Sequence, residues 1–360
     1  MPSPGSAPLA AAFAIPGALE TATGGYAYAR AVLARLPDHG VEATVLRLPD
    51  GFPHPTTRDV VESARLLAGV PADAALLVDG LAYGALPAAT LDALARPLVA
   101  LVHHPLALET GLSPGRAAAL AESERRALAR ATRIVAASPT TARTLVADYG
   151  VRPERLSVAV PGTEPAARAT GAPTGAPPAL IAVGAISPRK GFDVLIAALA
   201  RLADRPWTLA IVGPTDRDPA TAAALRRQAE AAGLAERVRF TGAVDAATRD
   251  GLLGRSDVFV SASLYEGYGM VLAEAMARGL PMVASTGGAA AETVPDAAAL
   301  KVPPGDVDTL AAALARLIDE PDTRARLAAA AWDAGAALPR WDDTAARIAD
   351  ALRQSLETDG

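Results

Sequence analysis

The stretch SASLYEGYGMVLAEAMARGLP, Ser261–Pro281, passes from a short apolar strand through a glycine-containing loop into an apolar helix that opens near Gly269. Strand, loop and helix in direct succession make one step of a parallel sheet covered by crossover helices. Outward from it, short apolar runs keep alternating with longer Ala/Leu/Arg segments of helical spacing, and the pattern occurs twice. The first half gives strands Leu9–Ile15, Glu42–Leu46, Ala75–Val78, Leu98–His103, Arg133–Ala136 and Leu156–Val158. The second gives Ala179–Val183, Thr208–Val212, Val238–Thr241, Val258–Ser261, Pro281–Ala284 and Ala298–Lys301. The expected class is α/β, with two Rossmann-like doubly wound domains.

A chain of 360 residues is longer than one core usually supports, which agrees with two domains. Between the halves lies PGTEPAARATGAPTGAPP, Pro161–Pro178, whose Pro, Gly and Ala content suits an exposed connector. The expected division is residues 1–165, an acceptor-side domain, and 166–340, a donor-side domain. The segment Arg340–Leu356 has helical spacing, so 341–360 is expected to return to the first domain. Ligands of doubly wound sheets sit beyond the carboxyl ends of the strands, so two facing domains would share one cleft.

Hydrophobic residues make up 51% and charged residues 20%, as in ordinary globular proteins. A net charge of -5 argues against a protein built to hold nucleic acid. The absence of cysteine excludes disulfides, thiol nucleophiles and thiolate metal sites, and fits a reducing compartment. The opening MPSPGSAPLAAAFAIPG lacks a basic start and reads as a first buried strand rather than a leader. No stretch has the run of about 20 apolar residues that a spanning helix needs. The expected location is cytoplasmic, with at most peripheral contact at the inner face of a membrane.

Glu266 falls in the loop of the opening stretch and Glu274 inside its helix. Eight residues at ~1.5 Å each would separate their backbones by about 12 Å if all were helical. A glycosidase pair needs carboxyl groups at roughly 5–9.5 Å, so the spacing suits two ends of one extended ligand instead. A phosphate group would sit at the helix N-terminus, where Gly267 and Gly269 let backbone come close. VGAISPRKGFDVLIAAL, Val183–Leu199, places Arg189 and Lys190 just before another helix. Two cations there oppose the helix dipole and call for an anion such as a diphosphate. ATGGYAYAR, Ala22–Arg30, puts Gly24 and Gly25 at the mouth of a helix, but it is not a GxGxxG fingerprint and speaks against a nicotinamide cofactor.

EGYGMVLAE closely resembles the signature of GT-B enzymes of the glycosyltransferase family 4 type: two glutamates, seven residues between them, in an EGFG-like setting. The resemblance implies a retaining transferase that needs no metal or other cofactor. It implies that Glu266 contacts the hydroxyls of the transferred sugar and Glu274 the nucleotide ribose. Arg189 and Lys190 match the family's phosphate clamp and would stabilise the leaving group, with Gly184 beside them. Gly24, Gly25, Gly267, Tyr268, Gly269, Met270 and Val271 would line the donor. One of the consecutive histidines, taken as His103, would hydrogen-bond the donor sugar, while His104 and Glu109 would face the acceptor. STGGAAAETV, Ser285–Val294, resembles the family segment on the donor side.

Other features carry less. His103 and His104 at a strand end would point to opposite faces, which disfavours a shared metal. Asp216–Arg217–Asp218 spells the metal-binding DxD of single-domain glycosyltransferases, but in a Pro-rich loop acidic turn residues are common. Arg116, Arg125, Arg126, Arg130 and Arg133 crowd one helical segment; they read either as a solvated helix balanced by Glu122 and Glu124 or as a surface for anionic lipid. Trp332 and Trp341 read as packing anchors for the returning helix. The expected function is transfer of a glucose- or mannose-like hexose from a UDP-, GDP- or ADP-sugar to a hydroxyl of a glycan, a lipid-linked glycan or a small molecule, in cell-envelope polysaccharide synthesis. The alternatives are an NDP-sugar epimerase of the same shape or a non-catalytic nucleotide-sugar-binding subunit. Nucleotide base, acceptor and oligomeric state are not legible.

Overall fold

A computed structural model describes residues 7–357. The first six residues of the opening segment, read above as strand rather than leader, lie outside them. The chain divides into two compact units: one runs up to Gly162 and resumes at Pro339, and the other is Thr163–Leu338.

The first unit holds β1 (Leu9–Pro16), β2 (Val41–Leu48), β3 (Ala75–Asp79), β4 (Val99–Val102), β5 (Arg133–Ala136) and β6 (Leu156–Val158), in the order β2-β1-β3-β4-β5-β6. The second holds β7 (Ala179–Val183), β8 (Thr208–Val212), β9 (Val238–Gly242), β10 (Val258–Ser261), β11 (Met282–Ser285) and β12 (Ala299–Val302), in the order β12-β11-β10-β7-β8-β9. Every pairing is parallel. Central strands covered by helices on both faces must be apolar throughout, and β3, β4, β10 and β11 are buried along their whole length. The edge strand β2 instead is buried only at its ends, Val41 and Leu48, and exposes Glu42, Thr44, Val45 and Arg47. The two sheets are thus doubly wound, as the alternation predicts.

The helix Trp341–Leu356 packs on β3, β4, β5 and β6 of the first unit. It buries Trp341, Thr344, Ala345, Ile348, Ala349 and Leu352, a stripe at helical spacing. Trp341 stands edge-on to Tyr28, ring centroids 5.7 Å apart, and a Cβ at Gly162 would lie 2.1 Å from its amide nitrogen, so only glycine fits there.

Three expectations are corrected. The segment 161–178 is not a uniformly exposed connector: Pro161, Gly162 and Thr163 are buried, and further on the amide of Ala169 donates to the Arg278 carbonyl and that of Thr170 to the Gly254 carbonyl. A chain that turns between two cores must satisfy its backbone somewhere, and here the second unit supplies the partners. Trp332 does not serve the returning helix: it lies on Pro321–Ala336, a helix of the second unit too alanine-rich to show a clear periodicity, and Arg168 stacks over its ring at 5.7 Å. Finally, β4 stops at Val102, so His103 and His104 occupy the bend after it.

Candidate functional site

In the second unit the strand order reverses at β7 and β10, which are neighbours although β8 and β9 intervene in sequence. The loops leaving their carboxyl ends diverge there and open a crevice. After β7 comes the turn Pro188–Lys190; after β10 comes the loop bearing Glu266; after adjacent β11 comes Gly287–Gly288. Gly191, at φ +61°, ends the Pro188–Lys190 turn so close to the Ala262 carbonyl that a Cβ would lie 2.1 Å from its oxygen. The Leu264 amide donates to the Arg189 carbonyl at 2.8 Å, tying the two loops together.

Lys190 crosses over Gly184, where a Cβ would come within 2.9 Å of its Cε, and its Nζ donates to Oε1 of Glu266 at 2.6 Å. Nη1 of Arg189 lies 3.5 Å from Oε2 of the same carboxyl and donates to the Tyr265 carbonyl at 2.7 Å. Glu266 is 6% exposed. The Glu266 amide donates to the Gly287 carbonyl at 3.1 Å, and its carbonyl accepts from Ala289 at 2.8 Å. Gly288, at φ +63°, is confined against the Glu266 carbonyl oxygen. The Gly287–Gly288 loop therefore holds the backbone of Glu266. Burial alone would push this carboxyl up, yet the charges of Lys190 and Arg189 and hydrogen bonds from Lys190 and Ser263 bring it down to about 2.

Within the chain, the anion that lies between Arg189 and Lys190 is the Glu266 carboxylate. Sequence separation of 76 residues hid the contact, which adjacency of β7 and β10 creates.

Gly269, at φ +92°, caps the helix Met270–Met276, on which Met270 and Val271 are half-buried and open the first turn. Tyr268 is buried and its carbonyl accepts from the Thr293 hydroxyl at 2.6 Å. Glu274 lies on the same helix, with Oε2 3.6 Å from Nη1 of Arg249. Burial pushes the Glu274 carboxyl up, opposed by Arg249 and Arg278 and reinforced by Asp250.

The first unit repeats the arrangement. Its order reverses at β1 and β3; Gly24 and Gly25 open the helix that follows β1, Asp79 ends β3, and His103 with His104 follow β4. Gly24 opens the helix Gly24–Leu33. A Cβ at Gly25 would meet the His103 ring at 3.4 Å, and Tyr28 stands edge-on to that ring with centroids 5.1 Å apart. Nε2 of His103 is 3.5 Å from Oδ2 of Asp79, whose Oδ1 accepts from the Leu81 amide at 2.9 Å. Nε2 of His104 faces Glu109 at 3.6 Å, so the two histidines go to separate partners.

The family model for glycosyl transferases group 1 matches residues 164–333, and that for Glycosyltransferase Family 4 matches 77–166. The MMP alpha-(1->4)-mannosyltransferase of Mycolicibacterium hassiacum is 30% identical over 299 residues, covering 77% of this chain and 69% of that protein. The chain belongs to the GT-B glycosyltransferases of family 4 type. The D-inositol 3-phosphate glycosyltransferase 2 of Catenulispora acidiphila is 34% identical over 244 residues, 63% of this chain and 57% of that protein. This glycosyltransferase thus spans between 57% and 69% of the length of these two curated relatives. Among solved structures, Anabaena Alr3699/HepE in complex with UDP-glucose superposes with a TM-score of 0.74 at 21% identity, over 96% of this chain and 99% of that one.

Asp79 and Arg249 of the transferase escaped the sequence reading, because an Asp at a strand end and an Arg on an ordinary surface-patterned helix carry no local signal. Asp218 of the DxD caps the helix Pro219–Ala231, accepting from the Thr221 amide and hydroxyl at 2.9 and 2.6 Å. Among the described residues no group of three or more His, Asp or Glu is placed to hold a metal ion. No helix of the described residues is long and apolar enough to cross a membrane. On the basic helix Pro114–Leu128, Glu122 pairs with Arg125 and Arg126 as expected of a solvated face. Glu124 does not: it is 1% exposed and accepts from the Leu106 amide at 2.9 Å, because it lies on the stripe with Leu120 and Leu128 that faces the core.

Proposed function

We propose that the chain transfers a glucose- or mannose-like hexose from a nucleoside-diphosphate sugar to an acceptor hydroxyl, keeping the anomeric configuration. The observation that carries this is the Glu266 carboxylate, ionised and buried between Lys190 and Arg189 at the strand-order reversal of the second unit. A carboxylate already committed to two cations is a poor nucleophile, which disfavours a covalent glycosyl-enzyme intermediate. It is a good acceptor for sugar hydroxyls, and the same lock fixes the two cations where a diphosphate would leave. Charge developing on that leaving group meets preorganised cations, the setting in which electrostatic stabilisation is largest. The departing phosphate oxygen then takes the proton of the incoming hydroxyl on the same face of the sugar.

In this reading Glu274 and the Gly267–Val271 backbone hold the nucleoside end. His103, oriented by Asp79 and packed on Gly25, contacts the sugar. His104 and Glu109 face the acceptor. No metal is needed, because Arg189 and Lys190 supply its charge. The names of the relatives support a mannosyl or other glycosyl group and an acceptor such as an inositol phosphate, and the UDP-glucose complex of HepE supports a nucleotide-sugar donor. The work would be cytoplasmic, with peripheral membrane contact.

The test is transfer of labelled sugar from UDP-, GDP- or ADP-hexoses, preselected by thermal shift, with the product's anomeric configuration read by NMR. Turnover that survives EDTA and vanishes in Lys190→Ala supports the proposal. A changed free sugar without acceptor would indicate an epimerase, and nucleotide binding without turnover would indicate a binding subunit.

A further inference from the structure

Arg249 lies on the helix Ala246–Gly254 and Glu274 on Met270–Met276. Nη1 of Arg249 is 3.6 Å from Oε2 of Glu274, and that oxygen is buried without a hydrogen-bond partner, as is Nε of Arg249. Buried charged atoms left unsatisfied cost folding free energy, and native chains keep few of them without a functional reason. The other cation nearby is already committed: Arg278 donates to Oδ1 of Asp250 at 2.7 Å and to the Glu274 carbonyl at 2.9 Å. Asp250 is the remaining charged neighbour, 3.7 Å from Nε of Arg249. Arg249 is thus the cation that faces the Glu274 carboxyl itself.

We propose that Arg249 is a positioning residue for donor binding, holding Glu274 as an oriented carboxylate whose free lone pairs accept the two neighbouring hydroxyls of the donor's ribose. This rests on the reading of Glu274 as the nucleoside contact given above. The chemistry favours an ion at this point, since an ionised carboxylate only accepts and a vicinal diol offers two O–H donors, whereas a protonated carboxyl would set its own donor against one of them. Burial pushes Glu274 toward the neutral form and Asp250 adds to that, while Arg249, ahead of Arg278, opposes it. Removing Arg249 leaves burial to win.

The test uses the full chain with Arg249→Met and Arg249→Lys, and calorimetric titration with UDP, GDP and ADP and the 2′-deoxy form of whichever binds. In Arg249→Met the ribonucleotide is expected to bind roughly tenfold more weakly or worse, the scale of a lost hydrogen bond to a charged group. The acid limb of binding should move to higher pH, the 2′-deoxynucleotide should be affected less, and kcat at saturating donor should hold. Arg249→Lys should restore most of the affinity. Equal weakening of ribo and deoxy forms, or unchanged binding in Arg249→Met at every pH, overturns the inference. If the unaltered chain binds none of the three nucleotides, the donor reading falls and this inference with it.

Discussion

Nζ of Lys190 lies 2.6 Å from Oε1 of Glu266, and both side chains are nearly excluded from water. Removing one partner of a buried pair leaves the other charge uncompensated and costs about 3–5 kcal/mol. Here Arg189 remains at 3.5 Å from the other oxygen, so Lys190→Met should fall at or below the low end of that range. The double change Lys190→Met with Glu266→Gln should recover most of the stability while turnover stays lost. Urea unfolding of the three proteins separates the two effects, and recovery of activity in the double variant would sink the proposed role.

Acid should act on the same pair. The Glu266 carboxyl falls from an ordinary 4.5 to about 2 in the folded chain. A depressed acid stabilises fully above its unfolded value, and that contribution is lost as the pH falls from about 4.5 toward 2. Acid titration followed by circular dichroism should show stability dropping in this window, and the double variant should lack that part of the drop.

Glu124 carries the opposite sign. Burial raises its carboxyl from 4.5 to about 8, against hydrogen bonds from Leu106 and Tyr149. Between those values the folded chain keeps a proton that the unfolded chain has released, so stability falls as the pH rises from about 4.5 to about 8. Glu124→Gln keeps an acceptor for the Leu106 amide without the titration. It should therefore gain on the unaltered chain across that interval, by an amount on the order of a few kcal/mol at most. Chemical unfolding at pH 5 and pH 8.5 measures it, and a constant difference would refute it.

Two glycines should separate geometry from folding. Gly184→Ala would place a Cβ 2.9 Å from Cε of Lys190, the far end of a flexible side chain, so the protein should stay folded while turnover falls at least tenfold as Lys190 is displaced. Gly288→Ala meets the Glu266 carbonyl oxygen at 2.4 Å with φ +63°, and neither can yield. It should cost about 1–3 kcal/mol in melting experiments as well as activity.

Alternation with helices found all twelve strands to within a few residues, most plainly the central ones, because a parallel strand buried on both faces has to be apolar along its length. It found the glutamates and the basic pair because each sits where strand, loop and helix follow in direct order. It could not find that Lys190 meets Glu266, nor that Asp79 and Arg249 stand behind His103 and Glu274, since those contacts depend on which strands lie side by side. Glu124 was misjudged as a surface charge because helical spacing places it among arginines in sequence while rotation carries it inward. The helix Pro321–Ala336 leaves no clear signal in the sequence, because alanine gives no contrast between its faces.

The first unit is discontinuous, with the whole of Thr163–Leu338 lying between β6 and the helix Trp341–Leu356. As the polypeptide leaves the ribosome, the first sheet lacks the helix that packs on β3, β4, β5 and β6 until the C-terminal segment has emerged. The second unit, whose strands are contiguous in sequence, can be complete by then. Order of completion thus runs against order of sequence: the later-encoded unit can finish folding first, and the earlier one stays incomplete for the time it takes to translate its inserted neighbour.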